Sequence, residues 1–378
     1  MIRVQSRPRW LVAAGLTLAV LGAACGTPVK KNPARGSIAE TTTTTIAKGP
    51  DTTAAQLRSR LTGLLQEHVY LAAAVAGSRA RPDEAAAAQA ALDGTTEALM
   101  ANMTAIFTGD DAPVATQFGE LWKAGPAQNA GAIGSLFSGA LPGLAADSVS
   151  GPLTAALQGV GSGTNFTGLR AAAAEMGTLA SSLVGAIAKK YPDKIGGDPA
   201  SKAAELLNNL NAGLREQVYL TAAATNAALG GRADESAGAR AALDANSGDV
   251  TNVIAGAYGP EAGTAFGPLW KKHIDLLVEY ANAVGSKDQS KADEAMGKLL
   301  AYTEEFGTFV NTASPKLTKE AVADLVKTHV LTLKDVIDAQ AAKNFTKAYA
   351  TERTAADHMF MIASNLATNI VAQFPTKF

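Results

Sequence analysis

From Thr52 onward, apolar residues recur at intervals of three and four, the period of a helix buried along one face. Leu57, Leu61, Leu64, Leu65, His68, Leu71 and Val75 share one such face. Phe266, Trp270, His273, Leu277, Tyr280 and Val284 share a second, and Val322, Leu325, Val326, His329, Leu333, Val336 and Ile337 a third. No stretch sustains the period-two alternation of a half-buried strand. The pattern predicts an all-α fold, and the Ala, Leu, Glu, Lys and Gln between the apolar positions are good helix formers. Short connections between such helices imply antiparallel bundles.

The pattern also repeats. Glu67-His68-Val69-Tyr70-Leu71 returns as Glu216-Gln217-Val218-Tyr219-Leu220, and Arg81-Pro82-Asp83-Glu84 as Arg232-Ala233-Asp234-Glu235. Ala90-Ala91-Leu92-Asp93 returns as Ala241-Ala242-Leu243-Asp244, and Phe118-Gly119-Glu120-Leu121-Trp122-Lys123 as Phe266-Gly267-Pro268-Leu269-Trp270-Lys271. Asn165-Phe166-Thr167 pairs with Asn344-Phe345-Thr346, and Tyr191-Pro192 with Phe374-Pro375. Anchors in one order predict an internal duplication into two tandem antiparallel helical bundles. These are residues 52–196 and 197–378, divided near Gly196-Gly197-Asp198-Pro199.

The repeats differ in length. Trp122 to Asn165 is 43 residues, whereas Trp270 to Asn344 is 74. The 31-residue difference is about one helical hairpin. In its place the first repeat has a Gly-, Ala-, Ser- and Pro-rich stretch over 125–163. The second has two helical patterns, near 288–312 and 317–342, parted at Ser314-Pro315. The first bundle is therefore expected to be shortened, with no segment matching the one that carries His329.

Residues 1–24 read as a secretory signal: Arg3, Arg7 and Arg9 precede an apolar core from Trp10 to Leu21, and small residues follow. Leu21-Gly22-Ala23-Ala24-Cys25 resembles the lipobox of bacterial lipoproteins, with Gly22 where that pattern usually has Leu. The resemblance implies cleavage before Cys25 and lipidation of that residue, the chain's single cysteine. Residues 25–51, with Pro28, Pro33, the run Thr41 to Thr45 and Pro50, show no helical or strand period and read as a flexible tether. Glycosylation of the threonines is not required by the pattern.

Composition narrows the class. The chain of 378 residues is 47% hydrophobic, 18% charged and 6% aromatic, which excludes a disordered or disulfide-stapled protein. Its formal charge of −1 falls to −4 once residues 1–24 are removed, and this balance gives no electrostatic footprint for nucleic acid. No unbroken 18-residue apolar run lies beyond the N-terminus, so the body is not expected to span a membrane.

The four histidines are the conspicuous reactive side chains. His273 and His329 lie on the apolar stripes of their helices. In the last helix Glu352 falls on the stripe of Phe345, Tyr349, Ala356, Met359, Ala363, Leu366 and Ile370, with His358 beside it. Gln217 lies with Leu207, Leu210, Leu214 and Thr221. This spacing allows Gln217, His273, His329 and Glu352 or His358 to face one interior. Neutral imidazoles with a carboxylate suit Zn, Cu or Fe, and bundle cores host such sites. The same residues suit, better still, a buried polar layer that fixes helix register or a non-metal ligand. Met359 and Met361 suit a soft copper ion or ordinary core filling.

Other chemistry is poorly supported. Leu65, Trp270, Val326 and Ala355 stand three before the histidines, so the Glu-x-x-His of di-iron bundles is absent, as is His-Glu-x-x-His. Gly159-Val160-Gly161-Ser162-Gly163 has no preceding strand and no phosphate-loop lysine, and it is not Gly-x-Ser-x-Gly. In the first repeat His68 takes the place of Gln217, Gly125 that of His273 and Glu175 roughly that of His358, so the constellation is not repeated. No nucleophile, acid–base pair or cofactor motif points to an enzyme.

Leu269-Trp270-Lys271-Lys272-His273, the helix of His329 and the ending Ile370-Val371-Ala372-Gln373-Phe374-Pro375 resemble exported helical proteins of Gram-positive bacteria over about half the chain. That resemblance implies an all-helical fold and no particular activity. The expectation is a lipid-anchored protein on the extracytoplasmic face of the cell membrane, a binding or structural module for an envelope protein or small ligand. The alternative is a transition-metal-binding protein using the second bundle.

Overall fold

The computed structural model describes residues 47–378; the expected signal at 1–24, Cys25 and most of the expected tether lie outside them. Among the described residues the fold is all-α: twelve helices, one 3-10 turn and no strand. The α1–α6 half comprises α1 (Thr53–Gly77), α2 (Pro82–Ile106), α3 (Ala112–Lys123), α4 (Ala130–Ala140), α5 (Asp147–Val160) and α6 (Phe166–Lys190). The α7–α12 half comprises α7 (Lys202–Leu229), α8 (Ala233–Tyr258), α9 (Pro260–Gly285), α10 (Gln289–Ala313), α11 (Lys319–Ala341) and α12 (Phe345–Gln373).

Local chemistry sets the helix starts. Thr52 and Ser201 cap α1 and α7 by accepting from the backbone N–H three residues on, at 3.3 and 3.2 Å. Asn165 and Asn344 do the same for α6 and α12 at 3.2 and 3.1 Å. Arg81 and Arg232 stand just before α2 and α8, each paired with the glutamate three residues later, Glu84 or Glu235. Those acids also lie in the first turn, where the helix dipole favours them.

The centre of the fold is the pair α1 and α7, which run parallel and in register. Asn211 donates to the Ser59 carbonyl at 2.9 Å, Arg215 lies over Gly63, and the Tyr70 and Tyr219 rings stack at 5.2 Å. α6 packs on α1 and reaches α8, while α12 packs on α7 and reaches α2. Each half's last helix therefore touches the other half's second. One hydrophobic core runs through both halves, and the described residues, 47–378, belong to one compact unit. The expected boundary at 196–197 falls in the α6–α7 connection.

Three details differ from the sequence reading. The first half does not lack a hairpin; the Gly-rich stretch folds into α4 and α5, and α3, α4 and α5 are simply short, at 12, 11 and 14 residues against 26, 25 and 23 for α9, α10 and α11. Residues 47 and 48, expected in the tether, are pinned at the junction of the halves: Asp198 N–H donates to the Ala47 carbonyl and the Ser201 hydroxyl to the Lys48 carbonyl, both at 2.8 Å. Finally, α6 is long and apolar enough to cross a membrane by length and composition. Its Ala- and Gly-rich composition raises its mean hydropathy, but half of that stretch is buried inside the fold, where α6 packs on α1 and α5 as a core helix.

Candidate functional site

Five helices of the second half, α7, α9, α10, α11 and α12, surround a narrow apolar pocket, with α8 closing one side. Its wall is aromatic. Phe266 and Trp270 stack at 5.3 Å on α9, and Phe306 and Phe309 of α10 approach Phe266 at 6.2 and 5.8 Å. Half-buried Tyr258, Phe309, Ile362 and Leu366 form the outer part. These residues lie where α8, α10 and α12 end and α9 begins, the same end of the bundle at which residues 47–51 meet the α6–α7 connection.

The inner part ends on His273 and His329, both buried. The His273 ring sits edge-on to Trp270 at 4.5 Å and stacks on Tyr302 at 5.1 Å. All four ring nitrogens of the two histidines are buried and without a hydrogen-bond partner among the described residues. Burial pushes the His273 pKa down to about 4. Burial pushes His329 to about 3, assisted by the nearby His273 and His358 rings. Both imidazoles are therefore neutral near pH 7. The N–H and lone pair of His329 are unused, and His273 has only a contact with the Trp270 backbone that falls short of hydrogen-bond geometry and slightly opposes the effect of burial. The pocket wall holds no carboxylate. It thus offers apolar surface and a neutral hydrogen-bonding end.

The expected constellation divides. His273 and His329 share the pocket, and His358 lies within electrostatic reach of His329 but is only half-buried. Gln217 sits one turn beyond the pocket residue Leu214; it donates to Thr221 at 3.0 Å and leaves its own carbonyl unpartnered. Glu352 is elsewhere: two turns before Met359 on α12, it lines a separate cleft with Tyr70, Tyr219 and Tyr349. Seven residues of helix rise about 10 Å, so Glu352 and Met359 can share a stripe and still serve different cavities. Among the described residues no three His, Cys, Asp or Glu side chains are grouped to hold a metal ion.

In the first half the corresponding volume is filled. Phe118 lies 5.3 Å from Trp122 and 5.2 Å from Phe137, and Phe107 lies 6.0 Å from Phe137. His68, in the place of Gln217, packs edge-on to Trp122 at 5.0 Å, and burial takes its pKa to about 4.

Between the halves lies a polar cluster that sequence reasoning did not find. Glu67 accepts from Arg215 at 2.7 Å, Arg353 at 2.6 Å, Tyr219 at 3.1 Å and Thr95. Glu216, at the matching position of α7, accepts from Tyr70 at 2.7 Å, Arg170 at 3.1 Å and Asn246 at 2.8 Å. Each tyrosine thus serves the other half's glutamate. The available signal was a Glu-x-x-Tyr written twice on otherwise apolar helices. In comparisons with known proteins, no family model, no curated protein and no solved structure matches the chain.

Proposed function

We propose that the chain is a lipid-anchored binding module of the cell envelope whose α7–α12 half takes up an apolar molecule bearing one small, neutral hydrogen-bonding group. The observation that carries this reading is the pocket ending on His273 and His329, whose four ring nitrogens are buried without partners. Buried polar atoms are normally paired, and an unpaired one in a cavity wall invites a ligand. Neutral imidazoles favour a neutral group such as a hydroxyl or amide. The unfilled space is about 40 Å³, enough for a few waters, so a larger ligand enters by parting the half-buried side chains at the outer end. That end is also the one where the tether joins, which suits uptake from the membrane surface if Cys25 carries the lipid. Duplication of an ancestral half is part of the same proposal, supported by the matched caps and by the reciprocal tyrosine–glutamate bonds.

Trp270 reports on the pocket. In a Trp10→Phe/Trp122→Phe background, which leaves Trp270 as the one tryptophan, its emission is expected to shift saturably with 1-decanol, at least tenfold more tightly than with decane. His273→Leu/His329→Leu should erase the difference between the two. Equal response to both probes, or none to either, refutes the reading. A second reading, binding of Zn or Cu, is favoured by the unpartnered ring nitrogens of His329, which has His273 and His358 within electrostatic reach, although no three ligands are grouped among the described residues. Stoichiometric metal retained by the protein and lost in the same double variant would select it.

A further inference from the structure

The cleft that holds Glu352 lies where the two halves meet, between α1, α2, α6, α7, α11 and α12, and offers about 60 Å³ of space. The other carboxylates buried in this region each have a cation of their own: Glu67 has Arg215 and Arg353, Glu216 has Arg170, and Glu84 has Arg81. Glu352 has none. It is 6% exposed, lines the cleft, and among the described residues makes no hydrogen bond and no ion pair. A largely buried carboxyl group with no protein partner is costly, and the Glu352 oxygens open on the space of the cleft, so their partner is to be sought there.

The rest of the lining gives that cause its chemistry. Tyr70, Tyr219, Tyr349 and Phe166 present aromatic rings, the surface on which organic cations settle. The charged groups facing the cleft are Arg81 and Glu84 on and before α2, Glu235 on α8 and Glu352 itself. Arg81 pairs with Glu84 and Arg232 with Glu235, so Glu352 is the one of these acids left without a counter-charge. Glu67 faces Glu352 from α1 but is saturated by its four donors. A divalent metal would need further open carboxylates, and none is grouped there. The small space excludes a bulky quaternary ammonium.

We infer that this cleft binds a primary alkylammonium group, with the Glu352 carboxylate as its counter-ion and the tyrosine rings around its methylene stem. The inference is independent of the histidine pocket. Burial, with Glu67 adding repulsion, raises the empty site's Glu352 to about 8. Binding at neutral pH therefore moves one proton: the Glu352 O–H bond breaks, the carboxylate stays with the ammonium, and the proton leaves to buffer.

Calorimetric titration of the protein at pH 7 with 1,5-diaminopentane, in two buffers of different ionisation enthalpy, tests this. Saturable binding with release of about one proton per ligand is expected. So is at least a tenfold loss in Glu352→Gln, and 1-pentanol should not bind. Nα-acetyl-lysine amide separates the sources: if it binds too, the natural group is a protein lysine, and if it does not, a free amine. Should Glu352→Gln fold poorly, the infrared band of the protonated carboxyl in the unaltered protein decides, since it must disappear as amine is added. Absence of amine binding, binding unchanged in Glu352→Gln, or a carboxyl band indifferent to amine overturns the inference.

Discussion

Removing the charge of Arg215 is expected to cost far more than removing that of any surface lysine, because its partner is buried with it. Arg215 and Glu67 have side chains 5% and 1% exposed and meet at 2.7 Å. Arg215 also donates to the Ala356 carbonyl at 3.0 Å and to Asp357 at 2.9 Å. Breaking a buried pair by deleting one member costs about 3–5 kcal/mol. Arg215→Met belongs at the low end, near 3 kcal/mol by the same rule, because Arg353, Tyr219 and Thr95 still serve Glu67. An unfolding entropy of about 2.1 cal/mol/K per residue, over roughly 330 residues, gives about 0.7 kcal/mol/K, so the midpoint should fall by about 4 °C. Glu67→Gln should cost a similar amount, since it leaves Arg215 with the Ala356 carbonyl, the Tyr219 hydroxyl at 3.3 Å and one exposed aspartate, and no buried counter-charge. The double variant should cost less than the two singles together, by about 1.5 kcal/mol or more. Lys272→Met is the control: Lys272 meets Glu305 at 2.6 Å, closer than Arg215 meets Glu67, but both side chains are more than 40% exposed. Urea unfolding and calorimetry of the four variants read the outcome. Singles costing under about 1 kcal/mol, or energies that simply add, would refute the claim that burial rather than distance decides the strength of this pair.

Gly63 leaves room for that guanidinium, since a Cβ there would stand 2.9 Å from Arg215 Nε. Gly63→Ala should therefore cost about 1–3 kcal/mol, although alanine is the better helix former, and a stabilised variant would contradict this. The folded-state pKa values of His68, His273 and His329, at about 4, 4 and 3, lie below the unfolded value near 6.5. The unfolded chain then binds more protons below pH 6.5, and stability is lost as pH falls, by about 2 kcal/mol per histidine at pH 5. Urea midpoints at pH 7.5 and 5 should fall less steeply in His329→Leu than in the parent. Phe137→Ala in the filled half should cost about 3–5 kcal/mol, whereas Phe309→Ala at the rim of the open pocket should cost much less. Equal urea midpoints for the two would mean that the pocket is packed as tightly as its counterpart.

How far the sequence could be read depended on whether a property was local. The period-three and period-four stripes located the long helices α1, α7 and α9 to α12, and Ser314-Pro315 falls between α10 and α11, where a break is expected. Gly and Ala in 125–163 carry weak periodicity because small residues make small stripes, so the sequence shows a shortened bundle where α4 and α5 lie, although Ile133, Phe137, Val149 and Leu153 are all buried. Glu352 was placed correctly on an inward stripe, but a stripe carries no depth, and depth separates it from His273 and His329. The Glu67–Arg215 cluster was illegible for another reason. Its members are 148 residues apart and meet only because α1 and α7 run side by side.

Helix length explains why the two halves differ at their hearts. α3 ends at Lys123, one residue after Trp122, and Gly125 follows with φ of +119°, outside any helix. α9 runs on for fifteen residues after Trp270, and so places His273 one turn deeper on the same face. A 12-residue helix spans about 18 Å and a 26-residue helix about 39 Å, so α3 stops where α9 still has half its length to go. The short helices cannot carry a side chain to that depth, and the aromatic cluster of Phe118, Trp122 and Phe137 closes the gap. The long ones bring His273, Tyr302 and His329 together and leave a slot between them. The polar cluster on the α1–α7 seam is the same in kind on both sides of the molecule. Changes to it should therefore alter stability in both halves, whereas changes in the pocket should alter ligand uptake in one. A variant that shifted decanol affinity solely through Arg215 would break that separation.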